Sequence, residues 1–176
     1  RIVEEYMVSE TRLEEIRRSI MEIHRLALSH IVAADHASMI KLVQDIKTEE
    51  AALDEKLAEY ESFVSEQDMG TYQTLTEEYE ALKHALVGLV CASADSKTQE
   101  AYAMANGEVA EKGGGAEAQI DVLSASVSAQ AEKAKNRLSV VYMTSLVISA
   151  VTLAAGVLLV LAAFRIIRRY VIAPIK

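Results

Sequence analysis

LSVVYMTSLVISAVTLAAGVLLVLAAF, residues 138–164, is a run of 27 residues without a charged side chain, closed by Arg165, Arg168 and Arg169. At ~1.5 Å of rise per residue, a helix of that length extends roughly 40 Å, more than the ~30 Å hydrocarbon core of a bilayer. The run is too long for a helix buried in a soluble core, and it reads as a membrane-spanning helix. It lies toward the C-terminal end, which excludes a cleaved secretory signal. The residues after it, RIIRRYVIAPIK, read as the opening of a further segment.

Charge divides at the same place. All 26 acidic residues precede Leu138, and four of the 18 basic ones (Arg165, Arg168, Arg169, Lys176) follow Phe164. The first 137 residues thus set 14 basic side chains against 26 acidic ones, a formal −12, and the tail carries +4. Nucleic-acid binding rewards clustered Lys and Arg, so the acidic part excludes that class of partner. Aromatic residues are 5% of the chain, Trp is absent, and Ala, Leu, Glu, Lys and Met dominate, a helix-forming composition. The one Pro is Pro174, and the one Cys, Cys91, can form no intrachain disulfide.

Working back from the span, the chain divides into four amphipathic stretches. The first, to about residue 34, places Leu13, Ile16, Ile20, Ile23, Ala27, His30 and Ala34 at alternating spacings of three and four. Asp35 is placed to cap a second helix with the seam Met39, Val43, Ile46, Glu50, Leu53, Leu57, Tyr60, Val64. Ser65 with Asp68 three residues on has the spacing of a capping box before a third helix, whose seam is Tyr72, Leu75, Tyr79, Leu82, Leu86, Leu89. A short helical piece over residues 96–105 follows, and Asn106 with Gly107 signals a turn. The fourth helix is expected from about Glu108 through Ile120, Leu123 and Val127. No breaker separates it from Leu138. The expected fold is all-α, an up-down-up-down four-helix bundle whose helix 4 continues into a transmembrane helix. Three parts are expected: 1–137 as the bundle, 138–164 as the span, and 165–176 as the start of a linker.

No catalytic constellation, cofactor motif or metal-ligand spacing is found. Glycines 113–115 lack the strand-turn-helix context and the Lys of a phosphate loop, and His24, His30, His36 and His84 are scattered. The triple glycine admits two readings: helix 4 begins after Gly115, or the segment is a hinge. Three polar residues, His30, Glu50 and Gln130, fall on seams. Each needs a partner, water or a ligand, because an unpaired buried polar group costs about 1–3 kcal/mol.

The runs LEEIRRSIMEIHRLAL (residues 13–28), LAEYESFVSEQD (57–68) and AYAMANGEVA (101–110) resemble the four-helix-bundle sensor domain of methyl-accepting chemotaxis proteins, over about residues 2–137. The tail RIIRRYVIAPIK, with Pro174 before Ile175, resembles the start of a HAMP linker, against the plainer reading of a basic stop-transfer flank. The resemblance implies a homodimer in the bacterial inner (cytoplasmic) membrane, with an extracytoplasmic sensor, an upstream membrane helix, and a cytoplasmic region that engages the chemotaxis kinase complex. Charge alone does not orient the span, since Lys133, Lys135 and Arg137 on one side stand against Arg165, Arg168, Arg169 and Lys176 on the other.

By the same resemblance, a small ligand, an amino acid or organic acid, is expected in the half of the bundle away from the membrane. The candidate contacts are Arg25, His30, His24 and Gln119. Arg17 and Arg18 are alternatives, or partners of Glu14, Glu15 and other surface acids. Arg168, Arg169 and Pro174 are expected to take part in transmission. The same arrangement also precedes histidine kinases and diguanylate cyclases, and a membrane-anchored scaffold bundle without ligand is a further alternative.

Overall fold

The computed structural model describes residues 1–172. Five α-helices are formed among them: α1 (Ile2–Ile31), α2 (His36–Tyr60), α3 (Met69–Ala94), α4 (Thr98–Met104) and α5 (Ala110–Ile167). Two 3-10 turns, Glu61–Phe63 and Glu66–Asp68, join α2 to α3. No strand occurs among the described residues, and the architecture is the all-α four-helix bundle that the seams imply.

The seams become the core. Leu13, Ile16, Ile20, Ile23 and Ala27 of α1 pack with Leu53, Leu57 and Tyr60 of α2, all six seam residues of α3, and Ile120 and Leu123 of α5. Each fully buried Leu or Ile contributes roughly 1.5–3 kcal/mol, so spacing every three or four residues suffices to drive the association. The tyrosines add polar ties across helices. Tyr72 donates to the Leu57 carbonyl at 2.7 Å, Tyr79 donates to the Glu50 carbonyl at 3.0 Å, and the Tyr60 hydroxyl lies 3.1 Å from that of Ser9. Burial pushes all three phenols upward, so they stay protonated and able to donate.

The helix ends are satisfied in different ways. Asp35 caps α2 as expected, accepting the Ser38 backbone N–H at 2.7 Å. The capping box at Ser65 and Asp68 does not form. Ser65 instead donates its hydroxyl to the Asp68 carboxylate at 3.1 Å, and that carboxylate is turned toward α5. At the other end of α3, Lys97 N–H returns to the Ala92 carbonyl at 2.9 Å with Ser96 at φ +60° between them, a left-handed termination normally filled by Gly.

Two expectations about the fourth helix are corrected. Asn106 and Gly107 do not reverse the chain; they kink it, and α4 and α5 meet across Ala105–Val109, where Gly107 at φ −100°, ψ −108° leaves helical geometry. Glycine tolerates that departure, so the chain changes direction there between two helices. Glycines 113–115 lie inside α5 and neither start it nor interrupt it.

The chain divides into two compact units, residues 1–131 and 132 onward. The first is the bundle. In the second, every described residue from Lys135 to Val171 is exposed, including the whole apolar run. This part is long and apolar enough to cross a membrane. Water is a poor solvent for such a surface, since each exposed CH2 forgoes about 0.8 kcal/mol.

Candidate functional site

Helix α1 carries a charged face opposite its core seam. On it Arg25 holds Glu22 through two bonds, Nε to Oε2 at 2.9 Å and Nη2 to Oε1 at 2.6 Å. Three-residue spacing puts both on one face. The pairing raises the Arg25 guanidinium and lowers the Glu22 carboxyl from their ordinary values. Arg25 is nonetheless 62% exposed, so this is a solvated pair whose guanidinium can be shared with another anion.

Beside this pair runs a groove of about 370 Å³ between the C-terminal half of α1 and the first turns of α5. Ile20, Met21 and Leu28 supply apolar lining, His24 and Arg25 cationic or hydrogen-bonding groups, and Glu117 an acid from the opposite wall. Gly113 and Gly114 both line the groove, and a Cβ at either would meet no atom within 4 Å, so both positions face open space. Gly115 acts differently. A Cβ there would sit 2.7 Å from Oε2 at the flexible end of the Glu78 side chain, which would have to shift to make room.

A family model described as the four helix bundle sensory module for signal transduction matches residues 1–142. The chain belongs to that family. No curated protein and no solved structure matches it.

The sensory module brings some of the sequence-derived candidates together and separates others. Arg25 and His24 share the α1–α5 groove. Gln119 is half-buried on α5 and is not among that groove's lining. His30 is 1% exposed and lines a different groove, with its Nδ1 2.8 Å from the Ser93 hydroxyl. Arg17 is engaged by Asp121 and Glu14, which hold its guanidinium above its ordinary value. Arg168 and Arg169 are exposed in a π-type segment, Arg168–Ile172, and Pro174 lies outside the described residues.

Glu117 was missed by reasoning along the seams. Its signal was available: it stands four residues after Gly113, on the same face of α5. The polar seam residues mostly find partners within the module. Gln130 donates to Asp68 at 2.9 Å and to Ser126 at 3.0 Å, and His30 pairs with Ser93. Glu50 is half-buried, and desolvation pushes its carboxyl above the usual range. Among the described residues, no group of three or more His, Cys, Asp or Glu side chains is arranged to hold a metal ion.

Proposed function

We propose that the chain is the extracytoplasmic sensor and second membrane-spanning helix of a bacterial chemoreceptor, acting as a homodimer in the cytoplasmic membrane. The ligand is an amino acid held in the α1–α5 groove. The observation that carries this reading is the groove's opposed charge: Arg25 on one wall, Glu117 on the other, and open space over Gly113 and Gly114 between them. A zwitterion satisfies both walls, with its carboxylate on Arg25 and its ammonium on Glu117. A plain organic acid uses only the first, and either ligand's carboxylate shares Arg25 with Glu22. His24 adds a neutral or cationic contact beside Arg25.

Transmission follows from the continuity of α5. The same helix that lines the groove at Gly113 continues through residues 138–164 to Ile167. Ligand changes the relative stability of two packings of α5 against α1, and the helix carries the difference as a small axial or rotational shift. Arg168 and Arg169 set the resting depth of the span, and Pro174 marks the start of a HAMP linker. The output is the chemotaxis kinase complex, reached through a cytoplasmic region.

The test is calorimetric titration of the full chain in lipid nanodiscs with the common amino acids and their deaminated analogues. One amino acid is expected to bind, with Arg25→Ala and Glu117→Gln each weakening it at least tenfold. Unchanged affinity in both variants, shown folded by circular dichroism, overturns the assignment. For transmission, cysteines at single positions over residues 139–160, in a Cys91→Ser background, are expected to change crosslinking efficiency when ligand is added. Identical patterns in both states count against a moving span.

A further inference from the structure

The charges at the end of the apolar run lie on one face of the helix. Leu158, Leu161, Ala162, Arg165, Arg168 and Arg169 recur at spacings of three and four, which makes them a single stripe. All six line one groove of about 740 Å³, along the end of α5 and the π-type segment Arg168–Ile172. The stripe is apolar in its first half and cationic in its second. It holds every charged residue between Leu138 and Ile172.

No acid of this chain is near these arginines. The last acidic residue is Glu132, 33 positions before Arg165 on the same continuous helix. That separation is roughly 50 Å at the rise of an α-helix. With the apolar run in a bilayer, the three guanidiniums stand at the edge of the hydrocarbon layer, where water is scarce and an unpaired cation is costly. Tyr170 marks the same level. Its ring centroid lies 5.9 Å from the Arg169 guanidinium carbon, and tyrosine concentrates at the headgroup boundary, where its ring and its hydroxyl both find suitable surroundings. The counter-charge therefore comes from outside these residues, and the bilayer itself supplies the nearest one.

We propose that this stripe is a binding site for an anionic phospholipid of the leaflet at the Arg165 end. The headgroup phosphate accepts hydrogen bonds from Arg165, Arg168 and Arg169, in the two-bond geometry that guanidinium groups form with phosphate oxygens. An acyl chain of the same lipid lies along Leu158, Leu161 and Ala162. The dimensions fit one lipid: Arg165 to Arg169 covers roughly 6 Å of helix, and Leu158 to Arg165 roughly 10 Å, enough to align the upper part of an acyl chain. Three cations with no acid among them favour a headgroup of net negative charge, because a zwitterionic one brings its own ammonium into the same field. The site rests on the span proposed above, and on neither the amino-acid ligand nor the output.

The experiment places the full chain in phosphatidylcholine nanodiscs with a small fraction of spin-labelled phosphatidylglycerol or spin-labelled phosphatidylcholine. Electron paramagnetic resonance reads the lipid fraction immobilised on the protein. Labelled phosphatidylglycerol is expected to be held at least about threefold in preference to labelled phosphatidylcholine. Arg165→Gln, Arg168→Gln and Arg169→Gln combined are expected to remove the preference. A second variant keeps the number of charges but scatters them: Ile166→Arg and Ile167→Arg with Arg168→Gln and Arg169→Gln leave three arginines on three sides of the helix. Its preference is expected to fall to less than half. A scattered variant that matches the native chain overturns the site, since net charge then suffices. Neutralising Lys133, Lys135 and Arg137 with Gln is expected to leave the preference intact, and its loss there moves the lipid to the other end and overturns the assignment. Displacement of the labelled lipid by millimolar inorganic phosphate overturns the lipid as occupant. A chain that fails to enter the nanodisc overturns the span and the site together, whereas one that enters and shows no preference overturns the site alone.

Discussion

The Ser126 hydroxyl donates to the Asp68 carboxylate at 2.7 Å, tying the turn between α2 and α3 to α5. Asp68 is only 6% exposed, and its oxygens are filled by Ser65, Ser126 and Gln130, with no cation among the bonded groups. A buried carboxylate without a counter-charge is tolerated when hydrogen bonds replace its hydration.

Removing that carboxylate strands three donors. Asp68→Ala is expected to cost about 1–3 kcal/mol of bundle stability, the penalty for unsatisfied buried polar groups. Asp68→Asn keeps one acceptor oxygen and is expected to cost less. Urea unfolding of the two variants, followed by circular dichroism, ranks them; equal loss in both shows that the charge and not the oxygen count matters.

Ser96 holds a left-handed conformation at the end of α3. A side chain in that region costs roughly 1–2 kcal/mol that glycine avoids. Part of that gain is returned as unfolded-chain entropy, so Ser96→Gly is expected to stabilise the bundle by about 0.5–1 kcal/mol, read as a higher midpoint in urea.

Glu50 gives a pH dependence whose sign is fixed. Its carboxyl is raised above the ordinary 4.5 by desolvation, so the folded chain binds that proton more readily than the unfolded one. As pH rises from about 4.5 through the raised value, the unfolded state ionises first and stability falls. Glu50→Gln is therefore expected to raise the melting temperature at pH 7 and to leave it unchanged near pH 4. A difference of the same size at both pH values refutes this.

Gly113 and Gly114 set stability against binding. Each lies in a helix where Ala is preferred by about 1 kcal/mol, and neither position meets an atom that a Cβ would strike. Gly113→Ala and Gly114→Ala are expected to raise stability toward that amount while weakening any ligand of the α1–α5 groove. Thermal melts and titrations on the same samples check both halves.

The four-helix bundle was legible because its information is local and repeated. Leu13, Ile16, Ile20 and Ile23 declare one face of a helix by spacing alone, and all are buried. Asp35 declares a cap because its partner, Ser38, lies three residues away. Ser65 and Asp68 carried an equally local signal and misled, because donors on α5, roughly sixty residues distant, compete for the same carboxylate. Asn106 and Gly107 did mark a break, but it is a kink between α4 and α5 and not a reversal, and Ala105 and Val109 on either side of it are both buried in the core.

The sequence by itself determined that four seams pair into a bundle and that 27 uncharged residues follow it, because hydrophobic periodicity and span length are properties of consecutive residues. Which polar residues meet was decided only by tertiary structure. Arg25 and Glu117 share a groove, His30 turns its ring to Ser93, and Asp68 reaches Ser126, although 58 to 92 positions separate these pairs in the chain. Hydrogen bonds and opposed charges act over a few ångströms of space, and only the packed helices bring such distant residues within that range.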